Sequence, residues 1–243
     1  MKPEKERLDV LLVERGLADS REKAQALVLA GAVAVDGARA GKPGHRVSRE
    51  CELKVAAGPK YVSRGGLKLD AALREFAIDV RGRVCLDVGA STGGFTDCLL
   101  QRGAARVYAV DTGAGQMDWR LRSDPRVVLR EKLNARYLQP EDLGEPVSLA
   151  VCDVSFISVT LVLPAIVPLL TPRGEMVILV KPQFEAGRAE VGRGGIVRDP
   201  AVHEACCRRV AGAAGTHGFQ TALRESPILG AEGNKEFLLH AWR

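Results

Sequence analysis

The chain has 243 residues, 46% hydrophobic and 27% charged, enough for one large domain and one small one. Its net charge of +5 favours a polyanionic partner, and six cysteines without a C-x-x-C pair read as free thiols rather than a disulfide framework or zinc site. The first residues lack the apolar core of a signal peptide, and the longest apolar run, 160–170, is short and holds Pro164 and Pro168, so a cytoplasmic protein with no membrane and no metal partner is expected.

Leu8, Leu11 and Leu12 share one face of a short helix closed by Gly16. Asp19 is the expected N-cap of the next helix, with Glu22 completing a capping box; Ala24, Leu27 and Val28 face inward, and Gly31 ends it. Val33 and Val35 alternate into the turn Asp36-Gly37. A basic loop with Arg39, Lys42, His45, Arg46 and Arg49 leads to a strand at 53–55. Residues 1–60 hold twelve Lys/Arg against nine Asp/Glu, the remainder twenty-three against twenty-one, so the small part is the more basic for its size. The order R-L-D-x-x-L, S-R-x-x-A, G-x-V-x-V-D-G, spanning residue 7 to about 55, resembles the S-four-type RNA-binding domain of a ribosomal protein and of pseudouridine synthases. The resemblance implies phosphate contacts from Arg7, Arg21, Lys23, Arg39 and Arg46; without it, these side chains read equally as a solvated surface.

The expected domains are 1–59 and 67–243. The polar, glycine-rich stretch 60–66 reads as a linker that becomes ordered on the second domain, with Arg64 a candidate RNA contact. Residues 67–76 form an amphipathic helix with Leu69, Ala72, Leu73 and Phe76 on its apolar side. Lys68 lies near its start, where the helix dipole disfavours a cation, which suggests another use for it.

Residues 84–103 read as strand, glycine loop and helix, a fold start that brings backbone close to a ligand. Phe95 stands where a P-loop needs Lys, and Ser91 where the dinucleotide pattern G-x-G-x-x-G needs Gly. Asp87-x-Gly89-x-x-x-Gly93-x-Phe95 instead resembles the first motif of S-adenosylmethionine-dependent methyltransferases. That resemblance implies cofactor contacts from Asp87, Gly89, Ala90, Ser91, Gly93, Gly94 and Phe95. The strand 107–110 ends at Asp111, a carboxylate able to accept bonds from ribose hydroxyls. On these motifs alone, another nucleotide-binding Rossmann relative stays open.

Further strands are expected at 127–129, at 147–152 ending in Asp153, and at 175–180 ending in Lys181. Asn134-Ala135-Arg136 is a turn that could border an adenine. Residues 159–170 read as a helix broken by prolines. Asp199-Pro200 starts the next helix as N-cap and N1, and 219–225 with 237–242 form the last strand pair. This alternation gives an α/β fold, a Rossmann-like, mostly parallel sheet with helices on both faces, preceded by a small α+β domain. Asp87, Asp111, Asp153 and Lys181 fall at the C-terminal strand ends, where such sheets bind ligands. The glycine-rich stretch 190–198, with Arg193 and Arg198, could clasp RNA or be a plain surface connection. His203-Glu204 lacks the second histidine of H-E-x-x-H, because Cys207 stands there.

Asp153 and Lys181 at the ends of apolar strands need partners; a mutual salt bridge and a site for a hydroxyl nucleophile both satisfy that. With Lys68 in L-K-L-D, Asp153 in C-D-V-S-F, Lys181 in V-K-P-Q-F-E and Glu236 in N-K-E-F, the chain resembles the FtsJ-type 2′-O-ribose methyltransferases and their Lys-Asp-Lys-Glu tetrad. Joined to the N-terminal domain, it resembles the TlyA family, often labelled hemolysin-like. The resemblance implies S-adenosylmethionine as cofactor and cytidine in ribosomal RNA, of the small or large subunit or both, as substrate. It also implies catalytic roles: Lys181 contacting the 2′-oxygen, Asp153 and Glu236 orienting the lysines, and Lys68 completing the network, with Lys181 as base or as orienter left open. Asn134 and Asp153 join the cofactor contacts. The [DN]-P-P-[YF] motif of amine methyltransferases and the Pro-Cys of cytosine-C5 enzymes are both missing. The competing readings are an RNA-binding ribosome-assembly factor on a cofactor-binding fold and a membrane-active protein.

Overall fold

In the computed structural model, which describes residues 4–56 and 58–243, the chain divides between Lys60 and Tyr61. The N-terminal unit runs β1 (Lys5–Arg7), α1 (Leu8–Glu14), α2 (Arg21–Leu29), β2 (Val33–Val35), β3 (Ala38–Arg39), β4 (Arg46–Ser48) and β5 (Leu53–Val55). Leu8, Leu11, Leu12, Ala24, Val28 and Val33 form its core. The turn from β2 to β3 has φ of +49° at Asp36 and +80° at Gly37, the paired positive values of a tight type I′ hairpin. Two expectations are corrected. The cap of α2 is Ser20, whose Oγ accepts from the Lys23 N–H at 3.2 Å; Asp19 stands one residue outside the helix. Within the expected basic loop, β4 pairs antiparallel with β1, two strands too short for a hydrophobic alternation to reveal.

The stretch 60–66, expected to become ordered on the second domain, packs into that unit from Tyr61 onward. Tyr61 is buried among Leu69, Phe95 and Leu99, and the Val62 N–H donates to Asp97 Oδ2 at 2.8 Å. Helix α3 (Gly65–Glu75) begins two residues earlier than expected. A Cβ on Gly66 would stand 2.3 Å from the Tyr61 ring, so glycine is what lets the ring lie against the helix.

The second unit continues as β6 (Val84–Val88), α4 (Gly94–Gln101), β7 (Arg106–Val110), α5 (Trp119–Arg122), β8 (Val127–Arg130), α6 (Pro140–Leu143), β9 (Val147–Cys152), α7 (Leu163–Ile166), β10 (Leu170–Val180), α8 (Pro182–Glu185), α9 (Pro200–Thr216), β11 (Gln220–Glu225) and β12 (Phe237–Trp242). Their sheet has the order β11-β12-β10-β9-β6-β7-β8, parallel except around β12, which is antiparallel to both neighbours. Strand residues alternate between two cores. Met176, Ile178 and Val180 join Leu163, Ile166 and Val210 on one face; Val177 and Leu179 join Leu69, Leu73 and Leu99 on the other. The expected proline-broken helix is α7 flanked by two 3₁₀ turns, with Pro164 and Pro168 in the first turns of new segments. Asp199 caps α9 through the Ala201 N–H at 2.8 Å. All six cysteines are buried.

Candidate active site

The strand order reverses direction at β6, whose neighbours are β7 and β9. A crevice opens at the strand ends of such a switch point. The register Val88↔Cys152 sets Gly89 beside Asp153, and the Asp153 N–H donates to the Val88 carbonyl at 2.9 Å. Gly89 has φ of +83°, and a Cβ there would lie 2.5 Å from the Asp153 carbonyl oxygen. Only glycine allows these two loops to close on each other.

Two cavities meet at this point, of about 390 Å³ and 310 Å³, both bordered by Gly89, Ser91, Asp153, Ser155 and Phe156. The second is apolar along Val110, Leu133, Ala135, Ile157 and Val162, with Asp111, Thr112, Gln116 and Asn134 adding polar groups of its own. Asp111 also knits the loops: Oδ2 accepts from the Ser91 N–H and Oδ1 from the Gly113 N–H, each at 2.7 Å. Asn134 Oδ1 accepts from the Arg136 N–H at 3.0 Å.

The first cavity holds Lys68, Asp153, Lys181 and Glu236 together with Ala90, Gly94 and Phe95. The four ionisable residues form two pairs. Lys68 and Glu236 are both buried and in direct contact. Lys181 Nζ stands 2.6 Å from Asp153 Oδ1, an ionic contact that is not aligned as a hydrogen bond among the described residues. The ammonium donates instead to Ser155 Oγ at 2.8 Å. Lys181 also lies over the Phe184 ring, 5.9 Å from its centre. Phe184 in turn packs on Phe156 at 5.2 Å. Phe156 is 92% exposed at φ +64°, a left-handed conformation that costs a bulky residue energy and is held only where the surroundings enforce it. Just after it, buried Glu185 ties down the chain, accepting from Ser158 Oγ at 2.6 Å and from the Val159 N–H at 2.7 Å. Burial raises the Glu185 carboxyl above its ordinary value.

Two expected cofactor contacts are displaced. Asp87 is fully buried beneath the loop and borders neither cavity. It accepts from Thr96 Oγ1 at 2.6 Å and so braces the start of α4; burial pushes it up to about 7 against that hydrogen bond. Gly93, at φ +93°, serves the turn into α4, and a Cβ there would meet the Leu121 side chain at 2.4 Å.

The expected RNA contacts divide. Arg64 borders the first cavity. Arg193 and Arg198 are exposed and outside both cavities; buried Asn234 fixes their loop, accepting from the Val197 N–H at 3.1 Å and donating to the Gly195 carbonyl at 3.0 Å. Lys23, Arg39 and Arg46 are exposed. Arg7 and Arg21 are first of all counter-charges, both bonded to the buried Asp9 carboxylate at about 3 Å, and they hold it well below the usual carboxylate range. Sequence reasoning missed Ser155, Phe156, Gln183 and Phe184, whose approach to the tetrad depends on the β9–β10 pairing.

Comparison with known proteins gives a consistent result. The FtsJ-like methyltransferase family matches residues 61–243, and the S4 domain matches residues 6–52. The 16S/23S rRNA (cytidine-2′-O)-methyltransferase TlyA of Mycobacterium tuberculosis is 50% identical, covering 96% of this chain and 88% of the relative. Hemolysin A of Brachyspira hyodysenteriae is 44% identical over 96% of this chain and 98% of its own length. A Streptococcus thermophilus structure described as a hemolysin superposes with a TM-score of 0.75 at 47% identity, covering 100% of this chain and 90% of that one.

Proposed function

We propose that this chain, which belongs to the FtsJ-like methyltransferase family, methylates the 2′-oxygen of cytidine in ribosomal RNA with S-adenosylmethionine as donor. Its TlyA relative carries that activity in its name, and the N-terminal S4 domain supports an RNA substrate. The observation that carries the reading is the meeting of two lysine–carboxylate pairs, Lys68–Glu236 and Lys181–Asp153, in one cavity beside the glycine loop.

The joined cavities fit the donor. The apolar strip at Leu133, Ala135 and Ile157 suits a flat base, with Asn134 at its edge, and Asp111 suits ribose hydroxyls. The close backbone at Gly89, with Ala90, Ser91 and Gly94, suits the methionine end. Bound there, S-adenosylmethionine supplies an electrophilic methyl group. The chain's own task is to hold a weakly nucleophilic hydroxyl in line with that methyl. Lys181, charge-paired with Asp153 and held by Ser155, is a hydrogen-bond donor to the 2′-oxygen and an electrostatic partner for charge as it develops. Lys68 and Glu236, paired with each other, line the same cavity. Once the oxygen carries the methyl its proton is strongly acidic, so water at the cavity mouth can take it and Lys181 acts as orienter rather than base.

Arg64, Arg193, Arg198, Lys23, Arg39 and Arg46 are phosphate contacts in this reading, and ribosomal particles of the cytoplasm are the partner. An assembly factor without turnover has no use for both ion pairs. Among the described residues no helix is long and apolar enough to cross a membrane. Incubation with methyl-labelled donor, purified ribosomal subunits and their naked RNAs tests the proposal. Label in RNA is expected; no label on any RNA, despite donor binding, would favour the assembly-factor reading.

A further inference from the structure

Gln183 borders the cavity that holds Lys181 and Phe184, yet its Oε1 is buried without a hydrogen-bond partner among the described residues. A native protein rarely leaves a buried amide oxygen unpaired, because the lost hydration is not recovered. Such an atom in a ligand cavity is accounted for when the ligand brings the donor. We infer that Gln183 reads the base of the target nucleotide, its Oε1 accepting from the exocyclic amine of cytosine and its Nε2 donating to the adjacent ring nitrogen. This rests on the 2′-O-methyltransferase reading above.

The placement follows from chain geometry. Lys181 and Gln183 are two residues apart, within about 7 Å along the backbone, which is comparable to the reach from a ribose 2′-oxygen to the pairing edge of its own base. A nucleotide with its 2′-oxygen on Lys181 therefore has its base within range of Gln183. Pro182, in the first turn of α8, fixes the backbone between the two residues. With its amide oriented so that Oε1 meets position 4, Gln183 favours cytosine, whose substituent there is an amine, over uracil, whose carbonyl would face Oε1 acceptor to acceptor; the amide turned by 180° would suit uracil, and the cytidine-to-uridine ratio reads which orientation is held. Sites that hydrogen-bond a substrate group reject analogues lacking it far more strongly than apolar pockets do.

The test compares transfer to subunits that carry cytidine or uridine at the labelled position, using wild type, Gln183→Ala and the isosteric Gln183→Glu, with donor affinity measured in parallel. Gln183→Ala is expected to lower kcat/KM on cytidine roughly ten- to a hundredfold, to bring the cytidine-to-uridine ratio toward one, and to leave donor affinity unchanged. Gln183→Glu keeps the acceptor and is expected to retain part of the cytidine preference. An unchanged ratio in Gln183→Ala overturns the inference. So does a tenfold loss of donor affinity with the ratio intact, which would assign the oxygen to the ammonium of the donor. Absence of transfer by wild type overturns the underlying reading and the inference with it.

Discussion

Lys181 Nζ and Asp153 Oδ1 meet at 2.6 Å, each just beyond the C-terminal end of its own strand. Strands β9 and β10 run parallel in the register Ile178↔Cys152, and that pairing brings the two charges together in space. Replacing Lys181 by Ala removes the charge partner of Asp153 and, in the proposed reading, the donor to the 2′-oxygen. Methyl transfer should fall at least about a hundredfold, while donor and RNA binding stay near wild type by equilibrium titration. Retained transfer would show that another group holds the hydroxyl.

Ser155 aims that ammonium through its 2.8 Å hydrogen bond. Ser155→Ala should lower kcat by roughly three- to tenfold, the effect of one hydrogen bond worth about 1 kcal/mol, with the KM for the donor little changed. Steady-state kinetics on labelled RNA separates the two constants.

Much of this arrangement is legible in the sequence. Asp87, Asp111, Asp153 and Lys181 interrupt apolar strands at their ends, and a polar residue at that position reads as part of a ligand edge. The strand, glycine loop and helix at 84–103 reads from local composition alone. Ser155 and Gln183 do not read this way, because their importance comes from the lateral pairing of β9 with β10 and from a missing partner that only three dimensions reveal. Asp87 misleads for the same reason. The strand end places it beside the loop, but its side chain is buried under α4 and bonded to Thr96. Tyr61 lies in a polar, glycine-rich stretch, and nothing local announces that Gly66 leaves room for its ring.

Gly89→Ala should abolish donor binding. A methyl group there would stand 2.5 Å from the Asp153 carbonyl, so the loop must move away from β9, and a positive φ adds strain. Calorimetric titration with S-adenosylmethionine checks this; binding within threefold of wild type would contradict it.

Asp87 gives a pH dependence with a definite sign. Its folded value of about 7 lies above the ordinary 3.8, so between these values the folded state binds the extra proton. Stability therefore falls as pH rises from about 4 to 7 and levels off above. Asp87→Asn removes the effect. Relative to wild type, the variant should gain by on the order of a few kcal/mol across that window, measured by urea denaturation at a series of pH values.

Asp9 behaves oppositely. Arg7, Gln25 and Arg21 hold its carboxyl below the ordinary value, so its contribution is complete above about pH 4 and fades as acid protonates it. Asp9→Asn should destabilise the N-terminal domain by about 1–3 kcal/mol at neutral pH, seen as early loss of protection in hydrogen exchange of α1 and α2.

The most direct measurement is the chemical position of the transferred methyl. RNA labelled by wild type is digested with alkali, which leaves intact only a linkage whose 2′-oxygen is blocked, and the resistant product is digested to nucleosides and identified. One resistant site is expected, with 2′-O-methylcytidine there and no label with Lys181→Ala. Label on a base, or a resistant site that survives Lys181→Ala, would contradict it.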